Sequence, residues 1–271
     1  MSEVKVNKLS PRSGTTITIG DSGDTVTIPS GVTLAPGGDL TLTGALSVDG
    51  ASATIKLDGN YPTGTSNVAL GNTALDSVEA GGVDNTAIGS LAGTAITTGD
   101  RNTAVGSCSL ITVSTGSRNT AIGYNSLKLN TGSCNTGIGE QALTSNTTGC
   151  QNVAVGRGVL AANTEGDNNV AIGDGALDAN TTADNNTAVG FSSLCTNTAG
   201  TANVAVGRLA MCSNTTGGNN TSIGVNSMLT NTTGCCNVAL GMHSLDKNTE
   251  GDTNTAVGHK SLCSNTTADN N

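Results

Sequence analysis

Aliphatic residues in this chain are sparse and evenly spaced. From residue 67 onward a pentapeptide of the form Asn-[Thr/Val]-[Ala/Gly/Ser]-[Val/Ile/Leu]-Gly starts at Asn67, Asn85, Asn102, Asn119, Asn135 and Asn152, and again at Asn169, Asn186, Asn203, Asn220, Asn237 and Asn254. The steps are 18, 17, 17 and 16 residues, then 17 seven times. Self-similarity at one fixed period is the mark of a repeat architecture. With positions counted from that Asn, position 4 is always Val, Ile or Leu. Position 9 is Leu in nine units, with Gly93, Met211 and Met228 as the exceptions. Position 5 is always Gly, which asks for a positive φ or a close backbone neighbour. Positions 12 to 15 read Asn-Thr-Thr-Gly, Asn-Thr-Glu-Gly or similar, the residue types of a turn.

A helix is excluded, because two aliphatic residues per 17 make no amphipathic stripe and Gly, Asn and Thr are weak helix formers. A short strand over positions 2 to 4 fits. Positions 2 and 4 then share one face, expected to point inward, and the small position 3 is expected to point outward. Twelve coils stacked about 4.8 Å apart give a rod of roughly 60 Å. So few aliphatic groups per coil face a large backbone entropy, which predicts several parallel chains about a symmetry axis: a homotrimer. Asn271 stands 17 residues after Asn254, so the solenoid is expected to continue past residue 271.

The first 66 residues follow another pattern. All four prolines lie there, with alternating runs such as Thr16-Ile17-Thr18-Ile19, Thr25-Val26-Thr27-Ile28 and Leu40-Thr41-Leu42 between Gly/Asp clusters. These predict half-buried strands joined by tight turns. The predicted organisation is all-β: a small β-domain over 1–66, then a parallel β-solenoid over 67–271.

Composition narrows the function. Aromatics are 1% (Tyr61, Tyr124, Phe191), glycines number 38 of 271, and charged residues are 11%. A core built on large aromatic side chains is excluded, as are a charge-rich tail and a Glu/Lys-flanked coiled coil. The net charge of −9 offers no basic footprint for nucleic acid or an anionic membrane. Lys5, Lys8 and Arg12 form the single local basic cluster and read as a solvated terminus. No stretch reaches the ~20 apolar residues of a membrane helix. The opening Met-Ser-Glu-Val-Lys-Val lacks the apolar run of a secretory leader, so assembly in the cytoplasm is expected, or exit by a route that needs no signal peptide.

Candidate chemistry is thin. Acids recur at position 16 (Asp100, Asp167, Asp184, Asp252, Asp269). A ladder of this kind can pair carboxylates as glycoside hydrolysis requires or hold Ca²⁺ weakly. With three aromatics and no apolar bulk to raise a carboxyl pKa, solvated turn residues are the better reading. Eight cysteines and two histidines show no metal-ligand spacing. Cys134/Cys150 and Cys195/Cys212 fall at equivalent counted positions in successive coils, about 5 Å apart and within disulfide range, although cytosolic assembly favours free thiols. Sequons such as Asn146-Thr-Thr are by-products of the turn. An ice-binding solenoid needs a flat face of aligned Thr, which an inward, irregular position 2 does not supply. Position 6 varies most (Tyr124, Glu140, Arg157, Phe191, Arg208, Met242, His259); this suits a partner-contacting surface, but an unconstrained position is the better reading. No catalytic, cofactor-binding or metal-binding residue is expected, and no enzymatic activity.

Units such as Asn119-Thr-Ala-Ile-Gly-Tyr-Asn-Ser-Leu127 with Asn146-Thr-Thr-Gly resemble the head repeats of trimeric autotransporter adhesins, and still more the version of that repeat in phage tail fibres. The opening Val6-Asn7-Lys8-Leu9-Ser10-Pro11-Arg12-Ser13-Gly14, then Gly20-Asp21-Ser22-Gly23-Asp24-Thr25-Val26-Thr27-Ile28-Pro29-Ser30-Gly31, resembles the N-termini of marine phage tail-fibre proteins. The resemblance implies a homotrimeric left-handed β-roll or β-helix in the virion. Its N-terminal region would dock to tail adaptor or nozzle proteins, and a distal region would meet a host cell-surface receptor. A head fragment of a bacterial surface adhesin is the alternative, although such a protein carries a secretory leader and a membrane anchor.

Overall fold

The computed structural model describes residues 66–271. The predicted β-domain over 1–66, its strands and its docking role lie outside the described residues, Ser66 apart.

The repeat folds as a parallel β-solenoid. Its strands are three residues each: β1 (Val68–Leu70), β2 (Thr86–Ile88), β3 (Thr103–Val105), β4 (Thr120–Ile122), β5 (Thr136–Ile138) and β6 (Val153–Val155). They continue as β7 (Val170–Ile172), β8 (Thr187–Val189), β9 (Val204–Val206), β10 (Thr221–Ile223), β11 (Val238–Leu240) and β12 (Thr255–Val257). All twelve lie in sequence order in one parallel sheet. Register is strict, position 2 on position 2 and position 4 on position 4, as in Thr103↔Thr120 and Val105↔Ile122. The irregular coils keep it: the pairing Thr120↔Thr136 spans the 16-residue step, and Val68↔Thr86 spans the 18-residue step. The missing and extra residues are absorbed in the turn, between position 12 and the next strand.

The two faces of the strand are reversed from expectation. Position 3 points inward: Ala87, Ala104, Ala121, Ala154, Ala171, Ala188, Ala205, Ser222, Ala239 and Ala256 are fully buried. Positions 2 and 4 point outward, half-buried to exposed. The reason is width. The opposite wall carries the small position 8 and the Leu of position 9, so the interior has room for little more than a Cβ. A Cβ added at Gly137, in position 3, would come within 2.7 Å of Ser126 Oγ and 3.2 Å of Leu127 Cγ. The core is therefore a stack of position-9 Leu side chains (Leu110, Leu127, Leu143, Leu160 and onward) against position-3 Ala.

Much of the interior is polar. Asn at position 1 is buried in every coil, and each one's backbone N–H donates to the side-chain Oδ1 of the preceding Asn, as Asn119 to Asn102 at 3.0 Å. A second Asn ladder runs along position 12 from Asn130, with Nδ2 donating to the preceding Oδ1, as Asn163 to Asn146 at 2.7 Å. The first three coils place Val78, Ile96 and Val113 there instead, all buried. These amides also close the turn: Asn203 and Asn214 Nδ2 both donate to the Gly217 carbonyl, at 2.8 and 2.9 Å.

Gly at position 5 ends each strand at a φ that L side chains avoid. At Gly106 φ is 127°, and a Cβ would meet the Gly123 carbonyl oxygen at 2.6 Å. Three further positions are left-handed without requiring glycine: 7, 9 and 17. Leu127 (φ 49°), Asn125 (φ 55°) and Arg118 (φ 60°) are examples. Each non-Gly residue there costs about 1–2 kcal/mol, and the repeated ladders hold it in place.

Candidate functional site

The outward strand face is the main candidate. Position 4 contributes Leu70, Ile88, Ile122, Ile172, Ile223 and Leu240 at 38–44% exposed, and Val257 at 64%. Position 2 lies beside it with four consecutive threonines (Thr86, Thr103, Thr120, Thr136), then Val153 and Val170. Strict register turns these into two straight rows along the stack. Position 4 is thus an exposed aliphatic row along the stack, while position 2 beside it is Thr in seven of the twelve strands and Val in five; an exposed aliphatic row of this length marks an interaction surface.

Position 6 forms a row beside that face, past the glycine. Its backbone is fixed coil by coil: Gln141 N–H donates to the Tyr124 carbonyl at 2.9 Å, Ser192 to Asp174 at 2.9 Å and Leu209 to Phe191 at 3.0 Å. Side chains one coil apart touch. Arg157 Nη2 lies 2.9 Å from Asp174 Oδ2, and this bond together with the carboxylate charge raises the guanidinium pKa. Tyr124 and Phe191 are each 53% exposed.

The recurrent acids of position 16 have a structural task. Asp167 Oδ1 accepts the Cys150 backbone N–H at 2.6 Å, Asp184 Oδ1 that of Asp167 at 2.7 Å, and Asp100 Oδ1 that of Val83 at 3.0 Å. Ser133 Oγ fills the same role for Ser117 at 3.1 Å. These carboxylates cap ladder donors one coil back, more than the solvated turn residues that spacing alone predicts. Asp178, at position 10, has its carboxyl pKa raised by burial against the coil wall and by the neighbouring Asp174 charge.

Two cysteine expectations are corrected. Cys195 and Cys212 are joined by a disulfide with Cα atoms 5.0 Å apart, where cytosolic assembly favours free thiols. Both occupy position 10, so register alone brings them together. Cys134 and Cys150 are not equivalent, and both are unbridged. Cys134 donates its N–H to the Ser117 carbonyl, as Gln151 does to Ser133, which places it at position 17. Cys150 accepts the Ser133 N–H at 3.4 Å and sits at position 16. The residue missing from the Asn119 coil lies in the turn before Gly132, so counting from Asn119 misplaces Cys134 by one.

Near the last coils His243 Nδ1 lies 3.0 Å from Asp246 Oδ2. They line a cavity of about 370 Å³ with Lys247, Lys260, Cys263 and Ser264. Asp246 Oδ1 is buried without a hydrogen-bond partner. Among the described residues no three of His, Cys, Asp and Glu are grouped to hold a metal ion, and no helix is long and apolar enough to cross a membrane. Sequence reasoning missed the outward face and the His243–Asp246 pair. The first had a signal, since a position restricted to Ala, Gly and Ser is what a narrow interior demands. The second had none.

Neither a protein-family model nor a curated protein sequence matches this chain.

Proposed function

We propose that this solenoid is the shaft of a homotrimeric phage tail fibre, left-handed in its coiling. Its residues 1–66 attach to a tail adaptor or nozzle protein, and a distal region projects toward a host cell-surface receptor. The observation that carries the reading is the outward face of the sheet, whose position-4 row of Val, Ile and Leu runs from β1 to β12 and stays part-exposed along the stack. Three chains set about an axis bury that aliphatic row on one another and take it out of water. The N-terminal resemblance supports the virion as the site of action. The protein acts by spacing and binding, with no catalytic step. Immunogold electron microscopy of purified virions with antibodies to residues 1–66 tests it: label at the tail is expected, and label on bacterial envelopes alone overturns it in favour of a surface adhesin.

One observation favours a second reading. Because position 2 faces outward, Thr86, Thr103, Thr120 and Thr136 form an aligned hydroxyl row about 4.8 Å per step, the arrangement an ice-binding face needs. A face buried in a trimer is not free to meet ice. Thermal hysteresis from a chain that sediments as a monomer would establish this reading over the fibre.

A further inference from the structure

We propose that the position-6 row from Tyr124 to Phe191 is a lateral binding strip for an extended, neutral, 1,4-linked polysaccharide. It lies on the flank of the shaft and goes beyond the fibre reading, which places receptor binding at a distal region.

The chain has three aromatic residues, and the two in the described part stand in this one row, each 53% exposed. An exposed ring in an otherwise aromatic-free wall is a platform for the C–H face of a pyranose, which is apolar and matches a flat π surface. Between the rings the row presents Glu140, Arg157 and Asp174 in consecutive coils. Arg157 and Asp174 hold each other side by side, with Nε at 3.3 Å and Nη2 at 2.9 Å from Asp174 Oδ2. A guanidinium and a carboxylate held side by side through one carboxylate oxygen offer further donors and an acceptor to neighbouring sugar hydroxyls.

Spacing selects the ligand shape. Tyr124 and Phe191 follow β4 and β8, four coils apart, which is about 19 Å at ~4.8 Å per coil. An extended 1,4-linked pyranose chain advances by nearly the same length per sugar. Four sugars therefore lead from one ring to the other. In a ribbon that turns over at each link, an even number of steps returns the same face to the second ring. The ladder bonds from position 7 to the position-6 carbonyls keep the row straight. Net charge selects a neutral chain, because −9 repels a polyanion. Repetition of the strip on linked copies raises avidity.

The test is affinity electrophoresis of the full chain in soluble glucomannan, with 1,6-linked dextran and an anionic polysaccharide in parallel gels. Retardation in glucomannan alone is expected. Tyr124→Ala and Phe191→Ala should each weaken it at least tenfold, while Tyr124→Phe and Phe191→Tyr keep it. Thermal midpoint and sedimentation coefficient should match wild type in all four. Absence of wild-type retardation overturns the proposal, and so does retardation unchanged by the alanines. Alanine variants that change the sedimentation coefficient overturn it as well, because the row then contacts another copy. Failure of tail labelling leaves this result untouched, so the two readings fail separately.

Discussion

Ile172→Glu tests the outward face directly. Ile172 ends β7, is 40% exposed and pairs in register with Val155 and Val189. In an isolated chain the new carboxylate sits in water, and the loss is the part of the isoleucine already buried, about 1–2 kcal/mol. In a trimer the outcome differs in kind. The remaining two-fifths of each position-4 side chain is worth roughly 0.6–1.2 kcal/mol when covered, and the glutamate forfeits that at three symmetry-related places. It also carries three carboxylates toward one axis, each with a desolvation penalty of several kcal/mol. The sum exceeds the ~4 kcal/mol of a thousandfold change in association. Sedimentation velocity should find wild type at three chains and Ile172→Glu at one, with far-UV circular dichroism still β-rich. Ala199→Glu, at an exposed turn position, is the control and should stay trimeric. A wild type that sediments as a folded monomer refutes the reasoning, as does an Ile172→Glu trimer with an unchanged thermal midpoint.

Gly190→Ala should lower stability by about 2–4 kcal/mol in urea unfolding, because φ there is 135° and the new Cβ meets the Gly207 carbonyl oxygen at 2.6 Å. Cys212→Ser removes the tie between the coils of β8 and β9, a 17-residue loop; about 3 kcal/mol should be lost under oxidising conditions and nothing under reducing ones. Asp178→Asn tests the sign of a raised carboxyl pKa. The folded state binds that proton more readily than the unfolded one, so the site is most favourable at low pH and loses stability as pH rises through the raised value. The variant should outlast wild type in urea at neutral pH and match it near pH 3, below the ordinary carboxylate range; the exposure of the side chain keeps the difference small.

The solenoid was legible because its period is written in residues that tolerate no substitute. Asn at position 1 caps a ladder and a turn, and Gly at position 5 admits no Cβ, so both repeat without exception. The direction of the strand faces was not legible from hydrophobicity, which assigns Val and Ile to the inside. It follows from volume instead, since Ala121 and Gly137 are small where Leu127 fills the coil. The left-handed backbone at Leu127 and Arg118 left no trace, because a side chain that pays conformational strain looks like any other in sequence. Cys134 is different: the 16-residue step from Asn119 records a lost residue, and Gly132 following Asn130 by two, where Gly149 follows Asn146 by three, places the loss in the turn.

Position 12 explains how so thin a coil stays folded with so little apolar volume. Val78, Ile96 and Val113 fill it by packing, and Asn130 to Asn248 fill it by hydrogen bonding; both solutions are buried. The two can meet at a boundary, but an isolated Val within the Asn ladder is a different matter. Asn180 donates to Asn163 Oδ1 at 2.8 Å and accepts from Asn197 Nδ2 at 3.1 Å. Asn180→Val therefore strands one buried acceptor and one buried donor, at about 1–3 kcal/mol each. Asn130 is the ladder's first member. It accepts from Asn146 Nδ2 at 2.6 Å and Asn135 Nδ2 at 3.1 Å, and has Val113 on its other side. Asn135 has the outlet used by Asn119 and Asn152, donation to the preceding position-1 Oδ1. Asn130→Val then leaves one N–H of Asn146 unpaired and moves an existing boundary by one coil. Urea unfolding should find Asn180→Val the costlier by about 1–3 kcal/mol, and equal losses would mean that ladder continuity contributes nothing beyond the individual bonds to the turn.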